Sequence, residues 1–300
     1  MTTPFEIGSF EEYLQTVRNE LPDGRKYFRG QTKLVTAGYE LKPSIGRYGH
    51  LLHKSFRERD ELEREVLEVF SNHLVTHVQH LPRTDWEALA IAQHHGLPTR
   101  FMDWTTNPLV ALYFAVRETK TDDDGKPMNS AVYVLISDPQ RYTDFTRKQQ
   151  PAVKPVKDLA TTTATSATGY EEFGVDGLEP EEGEGARVEP SEAADRDEKS
   201  EISTQPQTLS PFEISENVIY HPPHISPRLR AQDSVLLACQ QPFEALEERD
   251  CLEIIVCHDA HDDIRRRLDQ YGVFDRQLFP DLDGIAKWLR YRVFESEGAL

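Results

Sequence analysis

Between Trp86 and Arg117 the chain reads WEALAIAQHHGLPTRFMDWTTNPLVALYFAVR, and its middle crowds together Gln93, His94, His95, Thr99, Arg100, Asp103, Trp104 and Thr105. These types in one short stretch suit work on a polar ligand. His94 and His95 bring imidazole nitrogens that donate or accept, Asp103 brings a carboxylate acceptor, and Arg100 brings guanidinium donors. Trp104 offers a flat ring, while Thr99 and Thr105 offer hydroxyls. The apolar segments on either side are what a fold uses to hold such a loop still. The same residues also fit a purely structural arrangement, in which Arg100 and Asp103 form a buried ion pair, Trp104 is core, and His95 closes a helix C-terminus.

A second candidate is Tyr27 to Gln31, YFRGQ, read as a strand end. Tyr27 and Phe28 point to opposite faces there. Arg29 can grip an anion, and Gly30 can let a ligand approach the backbone, or the pair can simply be an ion-paired surface arginine and a turn. A third set is His73, His77 and His80, which share one side of a long helical pattern. Histidines four apart can share a metal, but no metalloprotease-type Glu or suitably spaced Cys or Asp accompanies them, so no metal is expected.

The elements that must position these residues are legible from capping signals and periodicity. Ser9–Glu12 opens an amphipathic helix over 8–20. A longer one is expected from about 54 to 80, with Phe56, Leu62, Val66, Val69, Phe70, Leu74 and Val78 as its apolar stripe. Thr84–Glu87 opens a helix from about Asp85 to His95, with Gly96 as its left-handed stop. Asn107-Pro108 starts a helix that is apolar nearly all round, hence buried. Runs 131–136, 218–220, 234–238 and 251–257 read as strands, the continuous apolar ones as interior. DDIRRRLDQYG and LFPDLDGIAKWLRYRVF read as two closing helices. The expectation is an α+β single domain, with mixed or antiparallel central strands flanked by helices.

Residues 160–210 break this pattern. They are rich in Glu, Asp, Thr, Ala and Gly with few apolar anchors, a composition that cannot bury enough surface to offset ordering entropy. The reading is a disordered acidic insertion between core segments at about 8–158 and 211–296, acting as a tether or as a surface for a regulatory partner.

Composition narrows the function classes. A formal charge of −18 argues against broad, non-specific nucleic-acid binding, although it leaves room for a local basic groove. No run approaches the roughly 18 to 20 apolar residues of a membrane span, so no membrane partner is expected. The opening MTTPFEIGSFEEYL lacks the basic and apolar regions of a secretory signal. With Cys239, Cys251 and Cys257 odd in number and set in apolar contexts, a cytosolic setting with reduced thiols is expected.

Several of these blocks together resemble the FRG domain family, named for a Phe-Arg-Gly motif that stands here as Phe28-Arg29-Gly30. The family's central motif matches AIAQHHGLPTRFMDWTTNPLVALYFA, its later motif SPRLRAQDSVLL, and its closing motif LFPDLDGIAKWL. The resemblance runs from about 26 to 290, interrupted by the acidic insertion. The order of motifs is also similar to the ADP-ribosyltransferase plan, which has an early Arg-Gly or His-Gly, a middle block with hydroxyls, and a late strand carrying a catalytic Glu. That likeness implies an enzyme using NAD as co-substrate, of the toxin or phage-defence type, with a protein or nucleic acid as acceptor. It implies catalytic roles for His94, His95, Asp103 and Gln232, and NAD contacts from Tyr27, Arg29, Gly30, Thr99, Arg100, Trp104 and Thr105. The chain departs from the plan at Gln232, which stands where the Glu is expected, with Asp233 and Ser234 following. A non-catalytic module that binds a nucleotide or small anion is the alternative.

Overall fold

The computed structural model describes residues 4–78, 81–143, 209–223 and 226–295. Met1–Gln149 and Thr208–Leu300 make one compact unit. The acidic stretch lies outside the described residues except for its last two positions, and so does His80.

The strands are β1 (Phe5–Ile7), β2 (Tyr27–Gln31), β3 (Phe101–Thr105), β4 (Ser130–Leu135), β5 (Gln140–Arg141), β6 (Val218–Tyr220), β7 (Ser234–Ala238) and β8 (Cys251–Val256). They form one mixed sheet in the order β1-β8-β4-β2-β3-β7-β6-β5. The two outer pairs, β1 with β8 and β5 with β6, are parallel, and the interior pairs are antiparallel. β4 is buried along its whole length, which is why it reads as a continuous apolar run. The short edge strands β1 and β5 carry too few residues to show a period in the sequence.

The helices are α1 (Phe10–Asn19), α2 (Phe56–Leu74), α3 (Asp85–His94), α4 (Pro108–Val116), α5 (Pro227–Ala231), α6 (His261–Gln270), α7 (Asp275–Leu278) and α8 (Leu282–Arg290). The expected caps are in place. Ser9 accepts from Glu12 N, Thr84 from Glu87 N, and Asn107 from Leu109 N, each satisfying a first-turn donor. Gly96 takes φ +87° after α3, and Gly272 takes φ +79° after α6. Asp262 and Asp263 lie in the first turn of α6, and Ala260 holds the cap position.

Three apolar clusters hold these layers. α1, α4 and α6 pack on one face of β2, β4 and β8 around Phe28, Val132 and Ile254. α3, with Leu67 of α2, covers β3, β6 and β7 around Trp86, Phe101 and Leu236. Loops carrying Leu41 and Val35 cover the opposite face, where Tyr27, Met102, Trp104 and Tyr133 gather. α2 differs from expectation: its inward residues are Glu63, Leu67 and Leu74, while Phe56 and Val69 are 59% and 60% exposed. The helix is rotated toward Glu63 because that carboxylate is needed inside as the partner of Arg100.

His261 supplies a pH-dependent contribution. Its ring is buried, with Nδ1 2.8 Å from Thr119 Oγ1 and Nε2 2.9 Å from Ser130 Oγ. Burial lowers its pKa to about 4, nearby Arg265 and His258 adding to the effect. The unfolded chain, titrating near the ordinary 6.5, therefore binds more protons between these values, and stability is lost as pH falls from about 6.5 toward 4. Urea unfolding at pH 7 and pH 4.5 should differ by about 2 kcal/mol from this group, a gap that His261→Gln narrows.

Candidate functional site

The site forms where the sheet comes apart. β2 pairs with β4 at every position from Tyr27 to Gln31, but aligns with β3 only at Phe28–Thr105. β3 keeps its full ladder with β7. Beyond Phe28 the two central strands therefore part, and a cleft of ≈ 290 Å³ opens at the split.

Arg29 occupies the opening. Its Nη1 donates to the Asp103 carbonyl oxygen at 2.5 Å, across the gap where strand pairing has stopped. Its Nε is buried without a protein partner. Desolvation pulls its pKa below the ordinary value, with Asp103 opposing. Trp104 Nε1 is likewise buried without a partner at the cleft wall. Two unpaired buried donors beside one cavity are expensive unless a ligand or water uses them.

Asp103 supplies the one carboxylate among the described residues lining the cleft, and it is exposed. A short relay fixes it. Phe101 N donates to Thr99 Oγ1 (3.1 Å), that hydroxyl donates to Gln93 Oε1 (2.7 Å), and Gln93 Nε2 donates to Asp103 Oδ2 (3.0 Å). His94, at the last turn of α3, also faces the cleft. Burial first, then His95 and Arg228, lower its pKa, so the imidazole is neutral at pH 7. Arg117 at the end of α4 and Arg228 in α5 complete the rim. Tyr39, 38% exposed, forms a lip with Arg47 4.2 Å over its ring.

Of the residues expected here, Arg29, Gly30, His94, Asp103, Trp104, Thr105 and Gln232 do meet at one cleft. Several do not play the expected part. Tyr27 is buried in the core on the loop-covered face, because alternation turns it away from Phe28. His95 caps α3, is exposed, and lies outside the cleft lining. Thr99 is fully buried and acts through Gln93. Arg100 is 2% exposed and points into the fold, where Glu63 and Asp60 bind it at 3.0 and 2.5 Å; its partner is neither a ligand nor Asp103. Trp104 is 2% exposed, so it offers an indole N–H and no open ring face.

Gly30 and Gln232 also depart from the expected roles. A Cβ on Gly30 would lie 1.9 Å from the Ala111 carbonyl oxygen and 2.6 Å from Ala115 N, so this glycine lets α4 approach the sheet and leaves no room for a ligand on that side. Gln232 is not on the last strand. It caps α5, and Asp233 takes φ +45° before β7 begins at Ser234. Gln232 Nε2 donates to Leu278 O (3.0 Å), and its own carbonyl accepts from Thr105 Oγ1 (2.7 Å). The Thr105 hydroxyl thereby ties the α5–β7 turn to β3, and the Gln232 side chain ties it to the end of α7.

The profile of the FRG domain matches residues 24–124. Those residues are an FRG domain. The Phe-Arg-Gly motif divides its labour in this structure: Phe28 anchors the α4 layer, Arg29 enters the cleft, and Gly30 admits α4. The FRG domain supplies two walls of the cleft, whereas Arg228, Gln232 and Ser234 lie downstream of the match. No curated protein and no solved structure matches the chain. Gln93, Arg117 and Arg228 lie in the stretches quoted above without a role assigned to them, and Tyr39 lies outside those stretches; all four line the cleft. Arg228 carried a signal in its Ser226-capped SPRLR block, while Tyr39 sits in an irregular loop with no period to place it.

Proposed function

We propose that the cleft takes a phosphate-bearing nucleotide, with NAD as co-substrate, and that the protein is an ADP-ribosyltransferase-like enzyme working as a cytosolic toxin or phage-defence effector. The observation that carries this reading is local charge reversal. In a chain of net −18, Arg29, Arg117 and Arg228 converge on a cleft with one carboxylate, and none of the three has a carboxylate partner among the described residues. Arginines that face a cavity without a carboxylate partner are a physical match for phosphate oxygens.

The chain's own groups fit that co-substrate. Arg117 and Arg228 would hold the diphosphate, and Arg29 Nε with Trp104 Nε1 would donate to ribose or amide oxygens. When bound, NAD supplies a glycosidic bond whose cleavage leaves positive charge on the sugar. Asp103, held by Gln93, would stabilise that charge. The neutral His94 can accept the proton that an acceptor hydroxyl or amine releases.

The test is titration calorimetry with NAD, paired with nicotinamide release in the presence of cell extract. Arg29→Ala should weaken NAD binding roughly 10- to 100-fold, the value of one or two charge-assisted hydrogen bonds. Asp103→Asn should retain binding and lower turnover by about 100- to 1,000-fold. Absence of NAD binding would overturn the reading. Binding without turnover would favour a nucleotide-binding module, for which the glutamine at Gln232, its amide donor spent on Leu278, is the specific support. A function abolished by deleting 160–210 and untouched by Arg29→Ala would remove both.

A further inference from the structure

A second cavity, of ≈ 640 Å³, lies among the end of α4 and helices α6, α7 and α8, and Arg117 lines it as well as the cleft. The ring contact between Phe114 and Phe279, 6.1 Å between centroids, stands between the two, Phe114 lining the cleft and Phe279 the second cavity. Its wall is aromatic, with Phe274 and Trp288 inclined at only 31° and 5.8 Å apart. Guanidinium groups already rest on that wall: Arg276 lies 4.8 Å over Trp288, and Arg265 lies 5.7 Å over Tyr291.

The charges facing this cavity are unequal in their commitments. Glu118 is paired with Lys120 at 2.5 Å. Asp269 accepts from Trp288 Nε1 at 3.3 Å and faces Arg292 at 3.9 Å. Asp275 lies beside the Tyr113 phenol. By contrast, Arg117 and Lys287 have no carboxylate partner among the described residues, and Arg265, although paired through Nη2 with Asp262, keeps a buried Nε with no acceptor. What remains to be satisfied is cationic and sits beside flat rings. That is the complement of a ligand with a planar ring and a negative group.

The geometry points to a second binding site here for a nucleotide unit, its base against the Phe274 wall and its phosphate on Lys287. The unit is either a free nucleotide or one nucleotide of a single strand. The overall charge of −18 argues against broad contact with a polyanion, so any such contact needs a local cationic site of this kind. The site goes beyond the cleft reading and does not depend on it.

The experiment uses the full chain with two probes, AMP by calorimetry and a short fluorescein-labelled single-stranded oligonucleotide by anisotropy, each with and without NAD. Lys287→Glu should weaken probe binding at least about 10-fold, as loss of one phosphate contact implies, and leave NAD affinity unchanged. Phe274→Leu, which removes the ring and keeps an apolar side chain, should weaken it as well. Lys287 is exposed, so its replacement does not threaten folding. Tighter binding of the oligonucleotide identifies a strand as the source, and equal or tighter binding of AMP identifies a free nucleotide. If neither probe binds, or if binding survives both substitutions, the site is refuted. Loss of NAD binding with retained, Lys287-dependent probe binding would remove the cleft reading alone.

Discussion

Arg100→Ala should destabilise the protein by about 3–5 kcal/mol, measured by urea unfolding at pH 7. The guanidinium is 2% exposed, with Nε on Glu63 Oε2 (3.0 Å), Nη1 on the Pro211 carbonyl (3.1 Å) and Nη2 on Asp60 (2.5 Å). Phe212 also lies 4.4 Å below it. Removing it leaves Glu63, itself 4% exposed, without its cation. Burial already raises the Glu63 pKa, and Arg100 is the main force pulling it back. In the variant the carboxyl pKa rises further, so the deficit shrinks as pH falls and the bare group takes up a proton. Arg100→Met with Glu63→Gln leaves no charge of this pair inside. It also keeps a side-chain acceptor for the backbone N–H at position 100, which Glu63 Oε1 serves at 2.8 Å. That double variant should recover more than half of the loss. NAD affinity should be unchanged in whatever fraction stays folded, because Arg100 is absent from the cleft lining. Weakened NAD binding in folded Arg100→Ala would return this residue to the ligand site.

The contrast between Arg100 and Arg29 shows what the sequence could convey. Each arginine lies in a quoted motif, and pattern alone gives both the same weight. Their difference is decided by residues far along the chain: Glu63 and Asp60 reach Arg100, while the parting of β2 from β3 leaves Arg29 facing open space. Local signals did better with the elements. Ser9, Thr84 and Asn107 each mark a helix start because a cap is a contact within three residues. The α2 stripe misled because an inward Glu is invisible to a hydrophobicity period. The turn at Gln232 was illegible for a similar reason. Its bonds to Leu278 and Thr105 span 46 and 127 residues, and no spacing within the SPRLRAQDS block announces them.

Gly30→Ala should cost roughly 3 kcal/mol, the upper part of the range for overpacking, since the obstacle is backbone rather than a side chain that can turn aside. The added methyl would meet Ala111 O at 1.9 Å, Ala115 N at 2.6 Å and Ala111 C at 2.9 Å. Relief requires α4 to lift from β2, and α4 also carries Val110, Leu112 and Val116 of the main apolar cluster. The backbone conformation at Gly30 is not left-handed, so the cost is one of space alone and torsional strain adds nothing. Displacing α4 also moves Arg117, which follows its last turn and lines both cavities. Ligand binding should therefore weaken in parallel with stability. Ala111→Gly, which keeps the backbone atoms of the obstacle, should fail to rescue Gly30→Ala. A Gly30→Ala protein with unchanged unfolding free energy but impaired ligand binding would show that the glycine serves the ligand and not the helix.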